Sequence, residues 1–83
     1  MNAKHQKTLH AVFSDPISGA LEWARIEAML LAIGCEMAEG SGSSVSFRKD
    51  GVMFHVHRPH PGKEALRYRV RLVRDFLQQI KWA

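Results

Sequence analysis

The sequence has little cysteine and no long apolar run, and each shortage excludes a class of protein. The single cysteine, Cys35, cannot form an intramolecular disulfide, which excludes a small disulfide-stabilised scaffold. No stretch approaches the ~18 consecutive apolar residues that a transmembrane helix requires. The first ten residues are polar and lack the apolar segment of a secretory signal. We therefore expect a cytoplasmic protein with no membrane contact.

The chain is short, and its charge is unevenly distributed. Its 83 residues, of which 46% are hydrophobic, predict one folded domain with a thin core. Residues 1–47 contain three Lys and Arg against five Asp and Glu, a net charge of −2. Residues 48–83 contain nine against three, a net charge of +6. Such a basic half attracts polyanions, although an acidic protein partner would complement its charge equally well.

Two helices are predicted in the first part of the chain. A short one extends from about Ala3 to Phe13 and ends before Asp15-Pro16 and Ser18-Gly19, which are turn signals. A second extends from about Leu21 to Ile33, because its apolar residues recur with the helical period. Gly34 follows at the position of a left-handed C-terminal cap.

Three strands are predicted next, and a turn sets the register of the last two. Alternating residues follow Cys35, then Ser44 to Arg48, then Val52 to His57, with Asp50-Gly51 as a hairpin turn. A two-residue turn pairs apolar side chains on one face, namely Phe47 with Phe54 and Val45 with Val56. On the other face it pairs Ser46 with His55 and Ser44 with His57. The sheet therefore has an apolar face for the helices and a polar face with two imidazoles.

A stiff loop at residues 58–62, with two prolines, leads to a last helix from about Glu64 to Lys81. Its expected buried stripe is Leu66, Val70, Val73, Leu77 and Ile80. A second side collects Arg67, Arg71, Arg74, Gln78 and Lys81. Helices on one face of a three-stranded antiparallel sheet, with an additional N-terminal helix, make an α+β fold.

The basic side of the last helix favours a polyanion partner. Arg67, Arg71 and Arg74 are three and four residues apart, a spacing at which like charges repel. Phosphate groups offset this repulsion, because the guanidinium fork matches phosphate oxygens. A solvated surface and an acidic protein partner remain open alternatives. The loop at Pro59–Lys63 is a second candidate anion site if its N–H groups face outward at the helix start.

Three histidines lie within six residues, and they suit the chemistry of RNA cleavage. Histidine titrates near neutral pH, so His55, His57 and His60 can supply both a base and an acid. Arg58 and Lys63 are cations that can stabilise the developing charge on phosphorus. Solvated histidines without a function are the alternative. No metal site is expected, because three histidines lack a fourth ligand other than the separate Cys35 or Glu64.

Three segments, in this order and spacing, are similar to the HicA family of toxins. They are Ala32-Ile33-Gly34 at a helix end, the Gly42-Ser43 turn before the strand with Phe47, and Arg58-Pro59-His60-Pro61-Gly62-Lys63-Glu64 before a basic helix. The resemblance covers roughly residues 21–80, and residues 1–18 are an addition relative to the shortest family members. It implies a fold like that of a double-stranded-RNA-binding domain.

The resemblance also implies an activity. HicA-like toxins are mRNA interferases, that is, endoribonucleases that need no metal or other cofactor and stop translation. The implied partners are mRNA and a neutralising HicB antitoxin, with no DNA binding by the toxin alone. RNA contacts are expected from the cations of the last loop and helix, which are Arg58, Lys63, Arg67, Arg71, Arg74 and Lys81.

One position departs from the family pattern. The resemblance places a catalytic histidine after the Gly-Ser turn, and that residue here is Ser44. The predicted register puts His57 directly across from Ser44, so we assign the catalytic role to His57, with His55 or His60 as the second group. The alternatives are a chain of the same fold that has lost catalysis and binds only RNA or the antitoxin, and an interaction domain for an acidic protein.

Overall fold

Helices flank a three-stranded antiparallel sheet, as the α+β prediction requires. The computed structural model describes residues 1–82. Its elements are α1 (Ala3–Val12), α2 (Trp23–Ala32), β1 (Glu36–Glu39), β2 (Ser44–Lys49), β3 (Val52–His57) and α3 (Leu66–Gln79). The sheet order is β1-β2-β3. This arrangement agrees with the fold of a double-stranded-RNA-binding domain preceded by one extra helix.

The register of the β2–β3 hairpin is the predicted one. Ser44 pairs with His57, Ser46 with His55, and Phe47 with Phe54. The turn residues Asp50 and Gly51 have φ angles of 53° and 78°. Two successive left-handed residues give a tight turn whose twist matches that of the strands, which explains why no register slip occurs.

The apolar face of the sheet lies beneath α2 and α3, and an aromatic group occupies its centre. Phe47 is fully buried, with its ring centroid 6.3 Å from that of Trp23 and 5.4 Å from that of Phe54. Phe54 in turn lies 4.7 Å from Phe76 of α3. The helix α1 packs against α2 and α3 through the buried Val12. The helices thus cover one face of the sheet and leave the other open.

Two helices end in the same hydrogen-bonding motif, once with glycine and once with lysine. After α2, the N–H of Gly34 donates to Leu31 O and the N–H of Cys35 to Leu30 O, both at 3.1 Å. After α3, the N–H of Lys81 donates to Gln78 O at 3.1 Å and the N–H of Trp82 to Leu77 O at 2.9 Å. The residue at the turn has a φ of 99° at Gly34 and 56° at Lys81. This is the Schellman cap, in which glycine avoids the steric cost of a left-handed residue.

We expect the substitution Lys81→Gly to stabilise the fold by about 1 kcal/mol, because glycine removes the steric cost of the left-handed conformation. The side chain of Lys81 is exposed and makes no ion pair within residues 1–82, so little is lost with it. Thermal unfolding of the two proteins measures the difference. A lower melting temperature for Lys81→Gly than for the parent would contradict this account of the cap.

The start of α3 differs from the prediction. The helix begins at Leu66, not at Glu64, and Leu66 is 50% exposed with a φ of 65°, so its expected place in the buried stripe was wrong. The fully buried Ala65 takes that place, and its N–H donates to Leu21 O at 2.7 Å. Glu22 and Glu64 form an antiparallel bridge, which holds both segments extended and delays the start of α2 to Trp23.

Candidate active site on the open face of the sheet

The histidines of β3 lie on the open face of the sheet. His55 and His57 are both exposed and are two residues apart, so their side chains project from the same face. The rise per strand residue separates their Cα atoms by roughly 7 Å. Two imidazoles at this spacing leave room for a phosphate group between them. His60 is exposed in the loop that follows, at the same end of the sheet as His57.

The serines across from the two histidines play different roles. Ser46 Oγ lies 2.5 Å from His55 Nδ1, a hydrogen bond that orients the ring and leaves Nε2 free. Ser44 is 8% exposed, and its hydroxyl donates to Ser41 O at 3.0 Å within the turn before β2. The hydroxyl of Ser44 is therefore committed to the turn, and it does not hold the ring of His57.

The backbone of His57 is held from two sides. Arg69 Nε of α3 donates to the carbonyl oxygen of His57 at 2.6 Å. The next N–H along the chain, that of Arg58, donates to Ser43 O at 2.9 Å. The peptide group after His57 is thus fixed between a helix and the turn that precedes β2. Such bonds place the Cα of His57 accurately while the imidazole itself stays accessible.

The side chain of Arg58 fastens the end of β3 to two other elements. Its guanidinium donates to Glu27 of α2, with Nε 2.9 Å from Oε1, and to Glu39 of β1. Trp23 Nε1 also donates to Glu27 Oε1 at 3.0 Å. Hydrogen bonds that its guanidinium donates to Glu27 and Glu39 raise the pKa of Arg58 above its already high value. Its predicted contact with RNA stays a prediction, and two carboxylates already occupy the guanidinium.

Arg74 does not lie on an open basic surface, which differs from the expectation. Its Nε donates to Val12 O at 2.9 Å and its Nη2 to Ser14 O at 2.8 Å. The guanidinium also lies over the ring of Phe13 and 3.8 Å from Asp15. Arg74 thus caps the C-terminal end of α1, where orphan carbonyls favour a cation. We infer a structural role for this residue.

The other predicted cations are open to solvent. The side chain of Lys63 is 81% exposed, with a long 3.8 Å contact to Glu22. Arg67 and Arg71 are exposed on α3, and no carboxylate within residues 1–82 pairs with either. Lys81 lies beyond the end of α3, so it does not continue their stripe. Their exposure leaves these cations accessible to RNA, and their role in RNA binding stays a prediction.

Arg69 is a residue that the sequence prediction missed. It is only 8% exposed, and its Nη1 donates to Ala65 O at 3.3 Å in addition to the bond with His57. The helical period would have found it, because position 69 precedes the buried Val70 by one residue and Val73 by four. Charged residues are rarely buried without a hydrogen-bonding or charged partner, so a charged residue on the buried side of an amphipathic helix indicates a specific polar contact.

Cys35 is buried, and desolvation raises the pKa of its thiol, which keeps it in the unreactive protonated form. Among the described residues, no three or more His, Cys, Asp or Glu side chains are grouped closely enough to hold a metal ion. No helix in the same part of the chain combines the length and apolar character that crossing a membrane requires.

The fold and the histidine-bearing face define a small α+β protein of the double-stranded-RNA-binding-domain type with a candidate nuclease site. The family model of the HicA toxin of bacterial toxin–antitoxin systems matches residues 23–82. Because this match spans more than half of the chain, the protein belongs to the HicA toxin family. Toxins of this family are in general ribonucleases, and each has a cognate antitoxin. No curated protein and no solved structure matches the chain.

Proposed function

We propose that this protein is an mRNA interferase, an endoribonuclease that needs no metal ion, acts on mRNA in the cytoplasm and is neutralised by a HicB antitoxin. One observation carries the proposal: two exposed imidazoles project from the open face of the sheet, and the backbone of one of them is fixed from both sides. A base and an acid at this spacing are what phosphodiester transfer to the 2′-hydroxyl requires.

The chemistry assigns a role to each histidine. His57 removes the proton from a ribose 2′-hydroxyl, and the 2′-oxygen attacks the adjacent phosphorus. The P–O5′ bond breaks, and a protonated histidine gives its proton to the leaving 5′-oxygen. His55 suits this second role better than His60, because Ser46 already orients its ring toward the open face. The products are a 2′,3′-cyclic phosphate and a 5′-hydroxyl, and the two histidines have exchanged protonation states.

The exposed cations support substrate binding. Lys63, Arg67 and Arg71 lie on the loop and helix that follow β3. Cations in these positions can bind phosphates of the RNA outside the cleaved bond, which contributes affinity without reading sequence. Ser44 has no part in this mechanism, because its hydroxyl is committed to Ser41 O.

The experiment is induced expression in a bacterial host, followed by growth, protein synthesis and the integrity of total mRNA. The proposal predicts growth arrest with fragmented mRNA, and recovery when the cognate antitoxin is co-expressed. Normal growth with intact mRNA, from a protein shown to accumulate in folded form, would contradict it.

A second function is favoured by Ser44, which occupies the position where the resemblance implies a catalytic histidine. In this alternative the chain has lost catalysis and retains binding of RNA or the antitoxin. The variant Ser44→His separates the two proposals in the same expression experiment. If the parent is harmless and Ser44→His cleaves mRNA, the alternative holds and the role of His57 is refuted.

A comparison of two arginines tests the proposed RNA contacts. We expect Arg71→Gln to weaken RNA binding and to reduce the slope of log Kd against log salt by about 1, because one phosphate contact is lost. Arg74→Gln should leave this slope unchanged, since its guanidinium binds the end of α1. Binding of a labelled RNA across a salt series measures both. Equal slopes for Arg71→Gln and the parent would argue against the contact.

A further inference from the structure

The first turns of α3 present an aromatic ring beside the buried arginine. Tyr68 is 53% exposed, which leaves about half of its surface open. The guanidinium carbon of Arg69 lies 4.6 Å from the centroid of this ring, a stacked cation–π arrangement. Arg69 therefore holds one part of the ring in place while the rest faces solvent. A large, oriented and accessible aromatic ring is the feature that single-stranded nucleic acids use for base stacking.

Arg69 carries a charge that its surroundings do not neutralise. Its two hydrogen bonds go to neutral carbonyl oxygens, those of His57 and Ala65. No carboxylate within residues 1–82 forms an ion pair with it, although Arg58 pairs with two carboxylates and Arg74 with one. Burial of an uncompensated cation is costly, and an anionic ligand nearby offsets the cost. The same guanidinium thus orients a stacking surface and attracts a phosphate.

This pair contacts the backbone at the end of β3 that carries His57. Arg69 Nε is 2.6 Å from the carbonyl oxygen of His57, so one guanidinium contacts both the backbone of His57 and the ring of Tyr68. Arg67 and Arg71 flank the ring along the helix; both are exposed, and neither pairs with a carboxylate in the part of the chain that the structure describes. The combination of a ring and several unpaired cations favours a polyanion with accessible bases over an acidic protein.

We propose that Tyr68 and Arg69 form a nucleotide subsite that takes one unpaired nucleotide of single-stranded RNA. The base stacks on the open surface of Tyr68, and the adjoining phosphate lies in the field of Arg69. Double-stranded RNA cannot use this subsite, because its bases are already stacked within the helix. The substrate is thus single-stranded despite a fold typical of duplex binding. The relation of this subsite to strand cleavage depends on the function proposed above.

Binding of a short fluorescent RNA, measured by anisotropy, tests the subsite. The full chain carries His57→Ala in every sample, which slows cleavage so that binding can be measured on intact RNA. We expect Tyr68→Ala to weaken binding of the single strand by roughly 5- to 100-fold, the loss typical of one stacked base. Tyr68→Phe should stay within about twofold of the parent, because it keeps the ring. The matched control is Leu72→Ala, which removes another exposed apolar side chain from the same helix.

A duplex of the same sequence and the variant Arg69→Gln complete the test. Tyr68→Ala should leave duplex binding unchanged, and Arg69→Gln should weaken single-strand binding several-fold, with folding of each variant checked by circular dichroism. Equal affinities of Tyr68→Ala and Tyr68→Phe for the single strand would overturn the subsite. So would a loss confined to binding of the antitoxin, which would make this surface a protein contact.

The failure of the subsite and the failure of the proposed nuclease function are distinguishable. Cleavage is measured separately, with the chain that retains His57. A parent that cleaves RNA, with Tyr68→Ala binding single strands normally, refutes the subsite alone. If the parent does not cleave RNA and Tyr68→Ala binds single strands poorly, the proposed nuclease function is refuted and the proposed subsite is supported.

Discussion

Replacing His57 by alanine is expected to lower the rate of RNA cleavage by roughly 10²- to 10⁴-fold, the usual contribution of a general acid or base. The imidazole is exposed and makes no hydrogen bond within residues 1–82, so the free energy of unfolding should change by less than about 0.5 kcal/mol. The measurement is the single-turnover cleavage rate of a labelled RNA, together with thermal unfolding of the same sample.

The matched control for His57→Ala is His10→Ala, which removes an exposed imidazole from α1. This variant should cleave RNA at the parent rate. If His57→Ala is folded and cleaves as fast as His10→Ala, the assignment of catalysis to His57 is refuted. A comparable loss in His55→Ala would identify the second proton-transfer group.

Replacing Arg58 by alanine is expected to destabilise the fold by about 1.5–3 kcal/mol, the range for hydrogen bonds to charged groups. The side chains of Arg58 and Glu27 are only 27% and 22% exposed, so solvent cannot fully replace the lost bonds. In a domain of this size each kcal/mol lowers the melting temperature by about 4–8 °C. Thermal and urea unfolding measure the effect.

The chain provides a matched control in Arg48, which also pairs with a glutamate of β1. The Arg48–Glu36 pair has side chains that are 61% and 73% exposed, so Arg48→Ala should cost less than about 1 kcal/mol. Because Glu27 and Glu39 raise the pKa of Arg58, its charge persists as pH rises. The difference between the two variants should therefore be the same at mildly acidic and mildly alkaline pH. Equal destabilisation of the two would contradict the role given to Arg58.

The hairpin and the cap at the end of α2 could be predicted because each depends on neighbouring residues. Asp50-Gly51 sets the register through local backbone geometry, and the pairs Ser44–His57 and Ser46–His55 follow from it. Gly34 ends α2 for an equally local reason. These local signals were sufficient to place both histidines on the open face of the sheet.

The partners of the arginines could not be predicted in the same way. Arg58 reaches Glu27 across 31 positions of sequence, and Arg74 reaches Val12 across 62. A long flexible side chain can find any acceptor that the tertiary fold brings near, and helical periodicity carries no information about such acceptors. The late start of α3 at the exposed Leu66 likewise follows a pairing that is distant in sequence, the bridge between Glu22 and Glu64.

Histidine-assisted attack of a ribose 2′-hydroxyl leaves characteristic product ends, and the chemical identity of these ends distinguishes it from other routes of RNA cleavage. The purified protein is incubated with a single-stranded RNA in excess chelator, and the fragment ends are identified by mass spectrometry. We expect fragments that end in a 2′,3′-cyclic phosphate or its hydrolysis product and begin with a 5′-hydroxyl. Fragments that begin with a 5′-phosphate, or cleavage that stops when chelator is added, would contradict it.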